Sequence, residues 1–334
     1  MDALEELLQG FLARELPRAR GLSVSAPERL VGGFSREHWG FEALWREDGH
    51  PVRVGLVLNR SAPGGPVETD MEKEYRVLRC LEGSGLPSPR TYGLDRDGGC
   101  FGSPSFVVER KDGSPIDPHR MMKKAHPKTR GSLGRQFADI LARIHGLDWK
   151  QRGLAFLGEP EGSPAARELA YWEGILDRHT LEPEPIMVEA LHWLHSHQPP
   201  TPRITLVHGD YRLENCLRRD GRITAILDWE LAHLGDPLED VAWACLDAFA
   251  VDGRMSGLMG RGEFIGLYQE LSGVPVAEDT IKFYQVFGCV KLIGIFQTWI
   301  HGYCRGESRD VTAACVRIDV QPVLLRSIID LIGL

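Results

Sequence analysis

Three side chains within one short stretch of the 334-residue chain have the types and spacing to do chemistry: Asp210, Asn215 and Asp228. The first half of that stretch runs Val207-His208-Gly209-Asp210-Tyr211-Arg212-Leu213-Glu214-Asn215-Cys216-Leu217. The second runs Ile223-Thr224-Ala225-Ile226-Leu227-Asp228-Trp229-Glu230, with Arg219-Asp220-Gly221-Arg222 between them. Asp-Gly flanked by apolar runs is a strong hairpin signal. With Asp220 and Gly221 as the loop, Leu217 faces Thr224 and Asn215 faces Ile226. Asp228 then shares the face of Ile226, because strand side chains alternate. Asn215 and Asp228 become diagonal neighbours about 7 Å apart, and Asp210 enters at the same end. Asn215 and Asp228 offer two oxygen ligands that can share a Mg²⁺, and Asp210 is a third group free to accept a proton. That set fits phosphoryl transfer, where a protein mainly positions reactants and neutralises charge. Turn-forming Asp and Asn also collect at hairpin starts, but His208, Gly209, the Asp-to-Asn interval and the second Asp together argue for chemistry.

The elements that must hold these groups are legible in the patterning. Leu4, Leu7, Leu8, Phe11 and Leu12 repeat on one helical face over residues 1–16, with an acidic opposite face that suits packing on the domain rather than on a membrane. Short β runs follow at Glu42–Trp45 and Val52–Leu58, joined by Glu47-Asp48-Gly49. A Gly/Pro-rich loop over 61–66 leads to a helix over about 70–81. Two more β runs, Arg90–Leu94 and Phe106–Glu109, precede Lys111-Asp112-Gly113-Ser114-Pro115, a natural hinge. Helices are expected near 131–146, 164–180, 184–197, 236–250, 262–272, 278–300 and 308–331. This divides the chain into a strand-rich lobe over 1–111 and a larger helical lobe over 112–334 that carries the hairpin. Asp236-Pro237-Leu238-Glu239 reads as a helix start, so Asp236 and Asp240 are expected to be structural. His192, His195 and His197 read as a solvated helix terminus rather than a metal cluster.

Composition narrows the setting. With 43% apolar and 26% charged residues the chain is globular in type, and its length suits about two domains. A net charge of −8 does not bind nucleic acid or anionic lipid through bulk charge. The acidic start Met1-Asp2-Ala3-Leu4-Glu5-Glu6 lacks the pattern of a secretory or transit peptide. The apolar stretch over 286–300 is interrupted by Lys291 and Gln297, short of the ~18 residues of a spanning helix. Seven scattered cysteines without a C-x-x-C pair suit reduced thiols. The expectation is a cytoplasmic protein without nucleic-acid or membrane partners, its oligomeric state open.

His-Gly-Asp-x-x-x-x-Asn followed by Leu-Asp-Trp-Glu resembles the aminoglycoside phosphotransferase and choline kinase-like family. The run Leu227-Asp228-Trp229-Glu230-Leu231-Ala232-His233-Leu234-Gly235-Asp236-Pro237-Leu238-Glu239-Asp240 most resembles the branch with kinase-like domains fused to acyl-CoA dehydrogenases. The resemblance extends from about Gly32 to Ala250. It implies an α+β, two-lobe protein-kinase-like fold and ATP- and Mg²⁺-dependent transfer of the γ-phosphoryl group to a small-molecule hydroxyl. In it Asp210 is the base, Asn215 and Asp228 hold Mg²⁺, His208 buttresses the loop and Arg212 lies near the γ-phosphate. Gly32-Gly33-Phe34-Ser35 matches the phosphate-covering turn, with Ser35 as a donor. Glu74 matches the acid that pairs with a phosphate-binding base at the end of the Val52–Leu58 strand. Most relatives have Lys or Arg at the end of this strand, which here closes Leu56-Val57-Leu58-Asn59-Arg60, so Arg60 is the expected base and Arg53 the alternative. Backbone groups of Glu109 and Lys111 would meet adenine. The acceptor is an aminoglycoside-like antibiotic or a metabolic hydroxy compound such as a hydroxyacyl-CoA, for which Lys123-Lys124-Ala125-His126-Pro127-Lys128 is a candidate patch. Acceptor specificity is expected from residues 115–130 and beyond 250. The alternative is a catalytically silent, kinase-like nucleotide-binding module. A protein kinase is disfavoured: no Gly follows Asp228-Trp229, and no Ala-Pro-Glu element follows.

Overall fold

Helix α1 (Ala3–Glu15) opens the computed structural model, which describes residues 3–30, 36–62 and 70–334. Its buried stripe of Leu8, Phe11 and Leu12 lies on the outer face of an antiparallel sheet. The strands are β1 (Arg20–Val24), β2 (Glu28–Leu30), β3 (Arg36–Glu47), β4 (His50–Ser61), β5 (Thr91–Asp95) and β6 (Ser105–Glu109). They run in the order β1-β3-β4-β6-β5, with β2 sharing the β1 edge of β3. Pro27, which has no N–H to give a ladder, falls in the gap between β1 and β2. The two central strands are longer than their apolar runs predict, and β1 and β2 are additional to the strands expected. Pairing with β3 extends edge segments that are too polar to announce themselves.

Register sorts the sheet into two faces. Arg36 pairs with Ser61, His38 with Asn59 and Gly40 with Val57, so these side chains share the inner face. Glu37 pairs with Arg60 and Trp39 with Leu58, on the face that Leu56 and Leu58 bury against α1. Helix α2 (Met71–Leu81), capped by Asp70 accepting from Lys73 N at 3.0 Å, packs on the inner face through Tyr75 and Leu78 near Phe106 and Val108. Gly93 in β5 is required by α1: a Cβ there would lie 2.6 Å from the Phe11 ring.

Beyond the hinge come β7 (Ser114–Pro115), α3 (Pro118–Lys124), α4 (Pro127–His145), α5 (Pro164–His179) and α6 (Pro185–Ser196). Then follow β8 (Thr205–Val207), β9 (Cys216–Arg219), β10 (Arg222–Ile226), β11 (His233–Gly235), α7 (Leu238–Ala244) and the ribbon β12 (Ala250–Val251)/β13 (Arg254–Met255). Helices α8 (Arg261–Ser272), α9 (Glu278–Cys304), α10 (Thr312–Asp319) and α11 (Gln321–Ile332) complete the chain. Helix α9 is the axis of this helical part. It is long and apolar enough by composition to cross a membrane, yet it is buried on nearly all sides against α5, α6, α7 and α11.

Three expectations are corrected. The helix predicted over 236–250 stops at Ala244, because Asp252-Gly253, both at positive φ, make the tight turn of the β12/β13 ribbon. The helix predicted over 308–331 is two helices, broken where Pro322 begins α11. In the β9/β10 hairpin Leu217 pairs with Ala225 rather than Thr224, and Cys216 with Ile226. Thr224 is bulged out, its hydroxyl donating to the Asp112 carbonyl at 2.6 Å.

Candidate active site

The loop between β8 and β9 carries Asp210 and is pinned from beneath by α7. Asp240 accepts the backbone N–H groups of His208 at 2.7 Å and Gly209 at 2.9 Å, and is itself held by His145 Nε2 at 3.1 Å. Burial alone would raise the Asp240 carboxyl, but the His145 and backbone hydrogen bonds hold it below the usual range. Gly209 sits at φ +83°, where a Cβ would lie 2.5 Å from the Leu231 carbonyl oxygen, so the loop reaches its position only with glycine there. The buried His208 ring spans loop and hairpin. Its Nδ1 accepts from Asp210 N at 3.2 Å, so Nε2 carries the hydrogen that goes to the Leu227 carbonyl at 3.0 Å. Burial lowers its pKa, which suits this neutral form. The structural roles expected for His208 and Asp240 correspond to these contacts.

Asp210 is oriented by three side chains. Trp243 Nε1 donates to its Oδ1 at 2.8 Å, Asn215 Nδ2 to its Oδ2 at 2.8 Å, and Arg212 Nε lies 3.0 Å from Oδ1. Arg212 also lies over the Phe249 ring, 5.6 Å from its centroid, and Asp210 raises its pKa further. Asn215 occupies a short 3₁₀ turn rather than the strand, and its carbonyl accepts from Leu227 N at 2.8 Å, which sets it beside Asp228. Because the Asn215 amide nitrogen is spent on Asp210, its Oδ1 is left for another partner. Asp228 holds a left-handed backbone, φ +70°, that is strained for a non-glycine residue. Asn215 Oδ1 and the Asp228 carboxylate are the hard oxygen donors that could hold Mg²⁺. No cluster of three or more His, Cys, Asp or Glu suited to a metal is present among the described residues.

Glu74 on α2 departs from its expected pairing. Arg60 donates through Nε to Glu37 at 2.9 Å on the outer face, and so turns away from Glu74. Arg53, the alternative, is largely exposed and pairs with Glu42 at 3.2 Å near the hinge. The partner of Glu74 is Arg36, at the start of β3, whose guanidinium bridges Glu74 and Glu230. Glu74 also accepts from Trp229 N at 3.3 Å, so α2 grips the Asp228-Trp229-Glu230 segment twice. Burial pushes the Glu74 carboxyl up, and burial with the nearby Asp228 pushes Glu230 up. Burial alone would lower Arg36, but Glu74 and Glu230 raise it. Alternation along β4 was the available signal against Arg60: it shares the parity of the core residues Leu56 and Leu58.

At the hinge Glu109 N donates to Arg90 O and Arg110 N to Gly55 O, both at 2.8 Å, while the Lys111 amine pairs with the Glu109 carboxylate at 3.4 Å. Arg110 lies against Gly40 and Gly55 of the inner face. Ser35 and the Gly32-Gly33-Phe34 turn lie outside the described residues. His195 meets Glu173 at 2.7 Å and His197 stacks on Trp193, so the three histidines do not converge on one point.

Residues from several elements join this site without a sequence signal at the motif. Trp243 is one, and Lys291 is another. Lys291, the lone cation of the apolar middle of α9, donates to Gly209 O at 2.6 Å and to Glu239 at 2.9 Å. Beside it a cavity opens between α2, α5 and residues 230–233, lined by Lys73, Arg167, Glu168, Tyr171, Glu230 and His233. Burial alone would lower the His233 pKa, but Glu168 and Glu239 raise it.

Comparison with known proteins follows this geometry. The model of the phosphotransferase enzyme family matches residues 34–273. Acyl-CoA dehydrogenase family member 10 of Mus musculus is 28% identical over 331 residues, covering 93% of this chain and 29% of the mouse protein. The chain thus spans about a third of the length of the first such relatives. A Ralstonia eutropha protein provisionally assigned as an aminoglycoside phosphotransferase superposes with a TM-score of 0.77 at 23% identity, covering 98% of both chains. Aminoglycoside phosphotransferase APH(4)-Ia, solved as a thermostable mutant with ADP and hygromycin B, superposes at 0.56 with 18% identity, over 96% of this chain and 98% of that one. The two-lobe kinase-like fold is shared with both.

Proposed function

The chain belongs to the phosphotransferase enzyme family, and on that premise we propose that it is an ATP- and Mg²⁺-dependent kinase of a small hydroxy compound. The observation that carries this reading is Asp210 oriented by Trp243, Asn215 and Arg212, with the Asn215 carbonyl tied to Leu227 N, next to Asp228. In this mechanism the acceptor oxygen attacks the γ-phosphorus and the bond from that phosphorus to the β,γ-bridging oxygen breaks, releasing ADP. Asp210 accepts the acceptor's proton, and its three donors keep one lobe of the carboxylate aimed at that oxygen. Asn215 and Asp228 would hold the metal, which when bound neutralises phosphate charge. Arg212, paired with Asp210, is placed to exchange that partner for an anionic phosphoryl oxygen. Backbone groups of the Glu109–Lys111 hinge take the adenine edge.

For the acceptor, the reading favoured is a metabolic hydroxy compound carrying an acyl or anionic portion. Two observations support it over a polycationic antibiotic. The cavity beside the Asp228 segment presents Lys73, Arg167 and Lys291 with Glu168 and Glu230, and a polycation would meet like charge there. The longer relatives named for acyl-CoA dehydrogenation point the same way. The Lys123–Lys128 run lies at the end of α3 and start of α4, not in this cavity.

The test is ADP release with Mg-ATP against aminoglycosides, hydroxyacyl-CoAs and amino alcohols, with the wild type beside Asp210→Ala. Release that depends on one acceptor class and vanishes in the variant supports the reading and names the class. Nucleotide binding without release from any acceptor would favour the silent binding module instead.

A further inference from the structure

The inner face of β4 offers the nucleotide no cation near Asp228. Val57, Asn59 and Ser61 face inward there, and Arg60 is on the other side with Glu37. The place a strand-end base would occupy is filled by a neutral pair, His38 Nδ1 meeting Asn59 Oδ1 at 2.6 Å. Two residues along β3, on the same face, Arg36 stands opposite Ser61 with its side chain only 4% exposed. It reaches Glu74 with one terminal nitrogen and Glu230 with the other, and its guanidinium lies 5.9 Å from the Phe106 ring centroid. Its Nε is buried and has no partner among the described residues. A desolvated N–H of a cation without an acceptor is unfavourable unless an acceptor arrives.

We propose that Arg36 is the phosphate-binding cation of this chain, delivered by β3 instead of β4. The inference rests on the nucleotide-dependent reading above. The placement has a consequence that a cation on β4 would not carry. Arg36 holds Glu230, two residues after Asp228, so the segment that presents Asp228 and the nucleotide's phosphates share one guanidinium. A phosphate oxygen accepting from Arg36 therefore acts on the position of Asp228 directly.

The experiment is calorimetric titration of the full chain with MgADP and, separately, with adenosine, which has no phosphate. Arg36→Gln is expected to weaken MgADP by about tenfold to a hundredfold, the range of one lost charge-assisted hydrogen bond, with adenosine affinity unchanged. Arg60→Gln is expected to bind MgADP as the wild type does. The exchange variant Arg36→Asn/Asn59→Arg is expected to recover most of the affinity. Undiminished MgADP binding by Arg36→Gln would overturn the inference, as would an equal loss for MgADP and adenosine, which is the mark of a merely structural role. If Arg36→Gln does not fold, Arg36→Lys keeps the charge but loses the forked donors. It should weaken MgADP and spare adenosine, and unchanged MgADP affinity would overturn the proposal equally. A wild type that binds no MgADP would instead overturn the nucleotide reading itself.

Discussion

Asp210 is a short side chain whose direction is decided by others. Trp243, Asn215 and Arg212 each approach one of its oxygens, and Asp240 fixes the backbone that presents it. Asp210→Asn preserves that shape while removing the carboxylate, so on the proposed kinase reading turnover should fall by about 10²- to 10⁴-fold. Steady-state kinetics beside MgADP titration checks this, since nucleotide affinity should be unchanged. Asp236 is a residue of a different kind, fully buried, its Oδ1 accepting from Leu238 N at 2.8 Å. Burial pushes its carboxyl up to about 6. An acid whose folded pKa lies above the unfolded value stabilises the fold at low pH, and that stability is lost as pH rises through the folded value. Asp236→Asn keeps an acceptor for Leu238 and removes the ionisation. Its advantage over the wild type should grow from pH 4 to pH 7, reaching at most about 3 kcal/mol. Thermal midpoints across that range would show a constant difference if Asp236 did not titrate there.

At the scale of elements, α7 and α9 act as a platform for the loop that carries Asp210. Helix α7 supplies Asp240, Trp243 and Glu239, and α9 supplies Lys291, which ties Glu239 to the Gly209 carbonyl. Burial would lower Lys291, yet Glu239 raises it, so the buried pair is ionic. Lys291→Met strands Glu239 in the interior, where only His233 at 3.2 Å remains as partner. It should destabilise by about 3–5 kcal/mol, and adding Glu239→Gln should recover much of that loss. Urea midpoints of the single and double variants measure it. Helix α1 is the corresponding support of the sheet's outer face. Gly93→Ala would drive a methyl into Phe11 and should destabilise by about 1–3 kcal/mol through overpacking. A midpoint equal to the wild type's would mean that α1 does not hold its place on β5.

For the whole molecule, the hydrophobic interior falls into two clusters of unequal reach. One joins α1 to the outer face of the sheet, and the other runs from α2, Phe106 and Val108 through the entire helical part. The second is continuous across the hinge, so the inner sheet face and the Asp228 segment are supported by one interior. A ligand bridging that boundary should stabilise the whole chain. MgADP at a hundred times its Kd is expected to raise stability by about 2.7 kcal/mol, visible as a rising thermal midpoint. Chelating the metal should shrink the shift, and in Asp228→Asn the shift should no longer respond to Mg²⁺. A metal-independent shift in the wild type would place the metal ligands elsewhere.

The sequence by itself determined the local chemistry. His208 to Asn215 and Leu227 to Glu230 are contiguous runs, and one Asp-Gly turn brings their ends together. The same locality explains α2 with its Asp70 cap and most helix positions. Where the reading missed, the deciding interaction was remote in sequence. Thr224 bulges because it bonds Asp112, and the one-residue shift puts Cys216, not Asn215, opposite Ile226. Which cation faces Glu74 depends on how β3 registers against β4, and no periodicity within either strand selects Arg36. Lys291 reads as an interruption in a greasy helix until folding brings it to a carbonyl 82 residues away. A buried charge is tolerated only where its partners converge, and for Arg36 and Lys291 that convergence exists only in the assembled tertiary structure.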